Sequence, residues 1–400
     1  VGVRGAGFVL VERLAVTRPA LRRLIILSLP ASIISGLLFA ILVEAWVRLS
    51  WDERRGTPGF FVSDPVRGQR LGENYDGWFA GVPVRTNNLG LRAVRDYDLR
   101  KQPNTFRILV LGDSVTFGHG AVHDYPSLLE SLLKQWRPGT DWQVWNLGVP
   151  GYNTSQELAQ LVELGLAYQP DLVIVGFYIN DIIGNQAPAA PGLARQAGSR
   201  ALAFLQRHWY SVEFYKRVVL TAAWQLSGSE ASRLRFENLE SEERMQASNG
   251  TLAESARQQV TPFSRFGEAD LAAHACPDGM KPSAKDLAEI QARPDWAEFV
   301  AAVRGFQDLN RQGAYNVMFF LNLIPPVCPD GDFFYDGKSI EHEYFVRLFG
   351  NGTPAVSAYP AFLRVKPSEM PLAEAHAIGN ANQLKAEVLL DHLKQTLPQD

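Results

Sequence analysis

The stretch LGDSVTFGHG, residues 111–120, sets Ser114 beside Asp113, directly behind an apolar run and ahead of a glycine-rich turn. A serine hydroxyl is a weak nucleophile until a neighbouring base takes its proton; it can then attack a carbonyl carbon and carry an acyl group. Three further places along the chain hold groups that complement it. NLGVPGYNT carries Gly151, where the lack of a side chain lets a backbone N–H approach a substrate oxygen. YIND carries Asn180, a side-chain amide donor, and EAHAIGNANQ carries His376, a candidate base. The oxyanion formed during acyl transfer needs such fixed donors, each worth about 3 kcal/mol of barrier. Singly, each residue also has an ordinary role: Ser114 as a helix cap, Gly151 as a turn glycine, Asn180 and Asp181 as a strand-ending turn, His376 as a histidine at a helix start. Their order, each placed behind or beside a strand-like run, is what joins them.

The elements that must hold these residues follow from periodicity. FRILVLG reads as a buried strand, YPSLLESLLKQW as an amphipathic helix, WQVWNLG as a strand, SQELAQLVELGLAY as a helix and PDLVIVGFYIND as a strongly apolar strand. This alternation predicts a parallel sheet covered by helices on both faces, with ligands bound in the crevice at the carboxyl ends of the strands. The rhythm stops at about 184–292, read as an insertion or lid that contains one long helical candidate, ALAFLQRHWYSVEFYKRVVLTAAWQL, and a charge-dense stretch, ENLESEERMQASNGTLAES. It resumes with a helix around DWAEFVAAVRGFQDLNRQG, the strand YNVMFFLNLIPP and a final helix, NANQLKAEVLLDHLKQTL, striped by Ala386, Leu389, Leu390, Leu393 and Leu397. Residues 52–105, rich in Gly, Pro, Asn and Arg, read as an irregular lead-in.

The four blocks resemble the SGNH hydrolases, also called the GDSL esterase/lipase family, over Phe106 to Leu397 with the insertion between. VLGDSVTFG is similar to that family's first block, NLGVPGYNT to its second, GFYIND to its third and AHAIGNANQLKAEVLLDHL, more loosely, to its fourth. The resemblance implies a flavodoxin-like three-layer α/β/α fold. It implies Ser114 as nucleophile and His376 as general base. The backbone N–H groups of Ser114 and Gly151 and the Asn180 amide would form the oxyanion hole, with Asp113 and Asp181 accepting hydrogen bonds that fix the loops. The aspartate that the family places three residues before the histidine is Ala373 here, and the glycine five residues after it is Ala381. Loss of the partner that orients the imidazole costs a Ser-His-Asp enzyme about 10⁴ in turnover. Glu374, or a backbone carbonyl, is the candidate substitute, and His342 in SIEHEYF is a fallback base. His119 and His123 read as rim or solvated loop histidines, and Trp209, Tyr210, Phe214 and Tyr215 as lid packing at helical spacing.

The run Leu24 to Val43 holds twenty residues without a charge, the number a helix needs to cross about 30 Å of hydrocarbon. Arg13, Arg18, Arg22 and Arg23 crowd its N-terminal side, while the far side mixes Arg48, Arg54 and Arg55 with Asp52 and Glu53. The positive-inside rule then predicts a cytoplasmic segment 1–23, a transmembrane anchor 24–47 with Trp46 and Trp51 at the interface, a lead-in 48–105 and a periplasmic or extracellular catalytic domain 106–400. A cleaved signal peptide is the alternative, disfavoured by the length of the run. A net charge of −3 offers no field for nucleic acid. Cys276 and Cys328 fit no metal motif and are free to pair outside the cytoplasm. The glycines at 112, 118 and 120 match no phosphate loop, and no cofactor or metal is expected.

Together these readings predict a membrane-anchored serine esterase acting on small acyl esters, O-acetyl groups of a carbohydrate first. The NNLGLR segment ahead of the first block is similar to family members associated with cell-surface polysaccharide. The same site run with a sugar hydroxyl as acceptor would be an O-acetyltransferase. A scaffold or glycan-binding subunit that kept the fold is the non-catalytic alternative, and a lipase is a third reading.

Overall fold

TFRILVLG forms an inner strand of the main sheet because its alternate residues bury on opposite faces, Ile108 and Val110 on one and Leu109 and Leu111 on the other. In the computed structural model, which describes residues 18–53, 56–185, 192–228, 252–267, 284–328, 331–334, 340–374 and 376–397, this strand is β5 (Thr105–Gly112). Before it come two antiparallel hairpins, β1 (Phe61–Asp64) with β2 (Gly68–Leu71) and β3 (Asp76–Phe79) with β4 (Val82–Arg85). Behind it come β6 (Asp141–Asn146), β7 (Leu172–Phe177), β8 (Val317–Leu321) and β9 (Ala355–Ser357), all parallel, in the order β6-β5-β7-β8-β9. Taken in chain order this is 2-1-3-4-5, the flavodoxin-like winding, whose switch point lies beside β5.

Two helical layers cover the sheet. Tyr125, Leu129 and Leu133 of α3 (Tyr125–Trp136) and Leu384, Leu389 and Leu393 of the last helix pack on one face. Leu161 of α4 (Thr154–Tyr168) and Phe299, Val303 and Phe306 of α7 (Trp296–Arg311) pack on the other, joined by Phe345 and Phe349 of α8 (Ile340–Phe349). The final helix, α9 (Asn380–Thr396), buries Ala386, Leu389, Leu390 and Leu393 of the expected stripe, while Leu397 caps its end and is half-buried. Each such buried leucine contributes about 1.5–3 kcal/mol. The expected three-layer α/β/α sheet is the fold of this chain.

Two readings change. Residues 61–85, expected to be irregular, pair as the two hairpins and enclose a third core, where Phe60, Phe79 and Val82 meet Phe117 and Tyr152. The single long helix expected over 201–226 is two, α5 (Leu193–His208) and α6 (Tyr210–Ser227), because Trp209 takes an extended conformation (φ −122°, ψ 116°). Most of the charge-dense stretch that follows lies outside the described residues, as does Cys276; Cys328 is disulfide-bonded.

The chain divides into two compact units, 1–51 and 52–400. In the first, α1 (Arg18–Ser50) contains Ser28–Ser50, a run of 23 residues with mean hydropathy 1.9, long and apolar enough to cross a membrane. Length and composition are equally those of a signal sequence.

Candidate active site

Strand β5 delivers Ser114 at its carboxyl end, and two glycines on adjacent strands make the turn that follows fit. A side chain at Gly112 would stand 2.1 Å from Thr116 Oγ1, and one at Gly176, its partner across the β5–β7 ladder, 2.4 Å. The space they leave holds the Thr116 hydroxyl, which is 2.9 Å from the Tyr125 hydroxyl. The helix cap is Asp113, not Ser114: its buried carboxylate accepts the Val115 N–H at 2.8 Å, and Ser114 is the first residue of the four-residue α2 (Ser114–Phe117). Ser114 Oγ lies 3.2 Å from the second Asp113 oxygen.

His376 comes to this turn from 262 residues away, its Nε2 2.9 Å from Ser114 Oγ. The imidazole sits on a small hairpin, β10 (Leu372–Ala373) with β11 (His376–Ala377), in which Ala373 is directly opposite His376. A two-residue connection of this kind requires left-handed backbone, and Glu374 supplies it at φ +45°. The consequence is chemical: the main-chain carbonyl of Glu374 lies 3.0 Å from His376 Nδ1. A carbonyl oxygen only accepts, so Nδ1 carries the proton and Nε2 turns a lone pair toward the serine hydroxyl. Glu374, predicted as a side-chain partner, meets the ring through its backbone. Burial lowers the His376 pKa below 6.5, opposed by the Asp113 carboxylate and the Glu374 carbonyl and assisted by Lys385, so the ring is neutral at neutral pH.

The oxyanion candidates reach the same end of the sheet by separate routes. Val149 donates its N–H to the Gly112 carbonyl at 3.0 Å, which lays the loop carrying Gly151 (φ +82°) beside the Ser114 turn. A side chain at Gly148 in that loop would strike the Phe117 nitrogen at 2.4 Å. Asn180 is exposed on the 3₁₀ turn Ile179–Ile182 just beyond β7. Asp181 in that turn is fully buried and accepts the Tyr178 N–H at 2.7 Å. Asn153 Nδ2 donates to the Ile183 carbonyl at 3.2 Å and Asn185 Oδ1 accepts the Ser155 N–H at 2.9 Å, locking the second and third blocks together.

Several residues at the site escaped the sequence reading. His119, expected at a solvated rim, is buried and stacks on His376, ring centroids 4.6 Å apart and planes 21° from parallel. Phe79 also meets His119, in a T-shaped contact at 4.9 Å. Burial, with the charges of His376 and Arg92, drives the His119 pKa well down, so it stacks as a neutral ring. Arg92, the last residue of NNLGLR, is buried beneath the loop behind α2 and donates to the carbonyls of Phe117 (2.7 Å), Gly118 (2.6 Å) and Ala121. Gln258, directly after the short helix Leu252–Arg257, accepts the Val122 N–H at 3.0 Å and donates to the Gly120 carbonyl at 2.8 Å. The only advance signal was NNLGLR itself, a cluster of turn residues closing on an arginine. His123 is exposed, and His342 is committed elsewhere, its Nε2 2.8 Å from Ser357 Oγ and its ring on Tyr359.

Beneath the serine turn lies a set of buried charges. Glu157 and Asp181 are driven well above ordinary carboxylate values by burial and by the negative charge of Asp113. Lys385 of α9 is pulled down to about 7 by burial against the opposing pull of Asp113. Both Glu157 oxygens, Asp181 Oδ1 and Lys385 Nζ lack a hydrogen-bond partner among the described residues.

Residues 110–289 match the model of the GDSL-like Lipase/Acylhydrolase family. The matched segment spans 180 of the 400 residues and contains Ser114, Gly151 and Asn180. Solved structures similar to it include an acetylxylan esterase from Geobacillus stearothermophilus, at 13% identity and a TM-score of 0.37 over 72% of this chain and 94% of that one. Another is a two-domain esterase active on acetylated mannans, at 14% identity and 0.34 over 74% of this chain and 50% of that one. A third is an α/β hydrolase from the metagenome of Lake Arreo, Spain, at 12% and 0.34, over 72% and 94%. A sequence search of curated proteins returns no match.

Proposed function

We propose that this protein is a GDSL-like hydrolase, a membrane-anchored serine esterase that removes small acyl groups, acetyl first, from hydroxyls of a glycan. The observation that carries the catalytic part is the 2.9 Å contact between Ser114 Oγ and a His376 nitrogen whose partner nitrogen is already committed to a carbonyl. In this reading Ser114 Oγ attacks the ester carbonyl and passes its proton to His376 Nε2. The N–H groups of Ser114 and Gly151 and the Asn180 amide receive the oxyanion. His376 returns the proton to the departing alkoxide, releasing the alcohol; it then draws a proton from water as that water attacks the acyl-serine, and passes it to Ser114 Oγ as the bond to the acyl group breaks and the acid leaves. The Glu374 carbonyl holds Nδ1–H throughout, taking the place of the absent acid as the orienting group.

The small acyl group is supported by the crowding at Ser114, which is 8% exposed beside a loop where Gly148 leaves no room for a side chain. The glycan alcohol rests on the resemblance of the blocks and of the N-terminal layout. The membrane reading rests on Ser28–Ser50 and on the arginines before it, which keep the N-terminus cytoplasmic and the hydrolase outside. The test is hydrolysis of p-nitrophenyl acetate, with a fluorophosphonate used to label the nucleophile and peptide mass mapping to locate it. The adduct is expected on Ser114, and Ser114→Ala is expected to abolish both labelling and turnover. Turnover that survives the substitution removes Ser114 from the reaction. Product analysis with and without an acceptor glycan separates hydrolysis from transfer.

A further inference from the structure

Helix α5 turns polar side chains toward the body of the protein and apolar ones outward, and α6 exposes an apolar stripe of its own. On α5, Ser199 Oγ lies 2.8 Å from Ser63 Oγ, Gln206 accepts the Ser63 N–H at 2.7 Å and Arg207 pairs with Glu73, all against the first hairpins. The opposite side exposes Leu193 (84%) and Phe204 (60%). On α6, Tyr215, Val219 and Leu226 fall at i, i+4 and i+11, one stripe of the helix, with Val219 62% and Leu226 87% exposed. A soluble protein gains nothing by turning such stripes to water.

The charges say what covers them. Helix α5 carries three arginines and no carboxylate, with Arg195 and Arg200 exposed, and the one acid of α6, Glu213, is paired with Lys216. Apolar stripes flanked by cations are the composition of helices that lie in the headgroup layer of a membrane, their apolar side about 5–10 Å into the acyl boundary. Covalent continuity points to the same occupant, because only Trp51 separates the apolar helix Ser28–Ser50 from Asp52, where the second unit begins.

We propose that α5 and α6 form a surface that docks into a bilayer with anionic headgroups. The proposal rests on the reading of Ser28–Ser50 as a membrane span, and its test separates the two. The chain has no free cysteine among the described residues, so a single introduced thiol can carry a bimane reporter. Val219→Cys, Leu226→Cys and Phe204→Cys are made in the full chain, beside Phe39→Cys in the apolar helix and Val94→Cys, an exposed control at 85%. Each is reconstituted in liposomes containing brominated phosphatidylcholine, with and without phosphatidylglycerol.

Fluorescence at 219, 226 and 204 is expected to fall at least about twofold, more with phosphatidylglycerol, while position 94 is unchanged. Quenching at 39 with none at 219 and 226 overturns the docking surface and leaves the span standing. No quenching at 39 overturns the span and the docking with it. Disulfide cross-linking of Val219→Cys to itself between chains, in place of quenching, assigns the face to a second copy and also overturns the proposal.

Discussion

The turn that carries Ser114 and the hairpin that carries His376 meet across 2.9 Å, yet they are held by opposite means. The serine turn is over-determined: Asp113 caps it, Gly112 and Gly176 admit Thr116 beneath it, Arg92 gathers four carbonyls between Phe117 and Val122, and Gln258 holds the Gly120 carbonyl from a distant segment. The histidine hairpin has two residues on each strand, and its ring is held by the Glu374 carbonyl and by the face of His119. A nucleophile needs a rigid seat, because its attack geometry is set by the backbone. A base needs the right tautomer, and one acceptor at Nδ1 is enough to set that.

This contrast can be broken by direct tests. The largest effect belongs to the contact itself: His376→Gln should lower kcat at least ~10³-fold on p-nitrophenyl acetate, with the fold unchanged by circular dichroism. Next is the rigid side. Arg92→Leu strands buried carbonyls and should cost about 3 kcal/mol in urea unfolding, with kcat falling alongside. An unfolding midpoint equal to wild type would show that the serine turn does not depend on Arg92.

Beneath the same turn, Lys385→Met should stabilise by ~2 kcal/mol at pH 7 and below, with the gain shrinking as pH rises toward 10.5. The sign follows from the lowered pKa: between about 7 and 10.5 the unfolded chain binds a proton at Lys385 that the folded chain does not, so the wild-type protein gains stability as pH rises through that window. Urea midpoints of both proteins across pH check it.

The sparse side is the one that can be improved. Residues directly opposite in an antiparallel pair hold their Cβ atoms about 4.5–5.5 Å apart. Ala373→Asp should therefore set a carboxylate beside the imidazole, raise kcat/KM about tenfold and move the acidic limb of the pH–rate profile upward. A limb that stays where the depressed His376 pKa puts it, below 6.5, would mean the new carboxylate does not face the ring. Smallest of all, Glu374→Gln should change kcat/KM by less than about threefold, since the carbonyl that holds Nδ1 is kept.

Much of the fold was legible because it is written in local periods. β5 and β7 read as apolar runs, α3 and α9 as stripes at helical spacing, and the order of these elements named the layer architecture. The hairpins of 61–85 were not legible, because GlyPro-rich, charge-mixed segments such as these pair only when a neighbouring surface, here Phe117 and Tyr152, gives their alternate residues something to cover. The break at Trp209 was hidden because a tryptophan fits a helical pattern as readily as it ends one. At the site, Ser114, Gly151 and Asn180 each follow a recognisable strand, whereas the role of position 374 could not be read from the identity of a glutamate that contributes a main-chain oxygen.

By itself the sequence determined a parallel sheet, an apolar N-terminal helix and a serine turn whose aspartate and glycines are adjacent in the chain, because these depend on residues within a few positions of one another. Only the tertiary structure decided which atom orients the imidazole, that His119 stacks upon it and that Arg92 and Gln258 brace the nucleophile's loop. Those contacts join segments up to 262 residues apart, and no local pattern specifies which backbone carbonyl or ring face will be turned toward a partner at that distance.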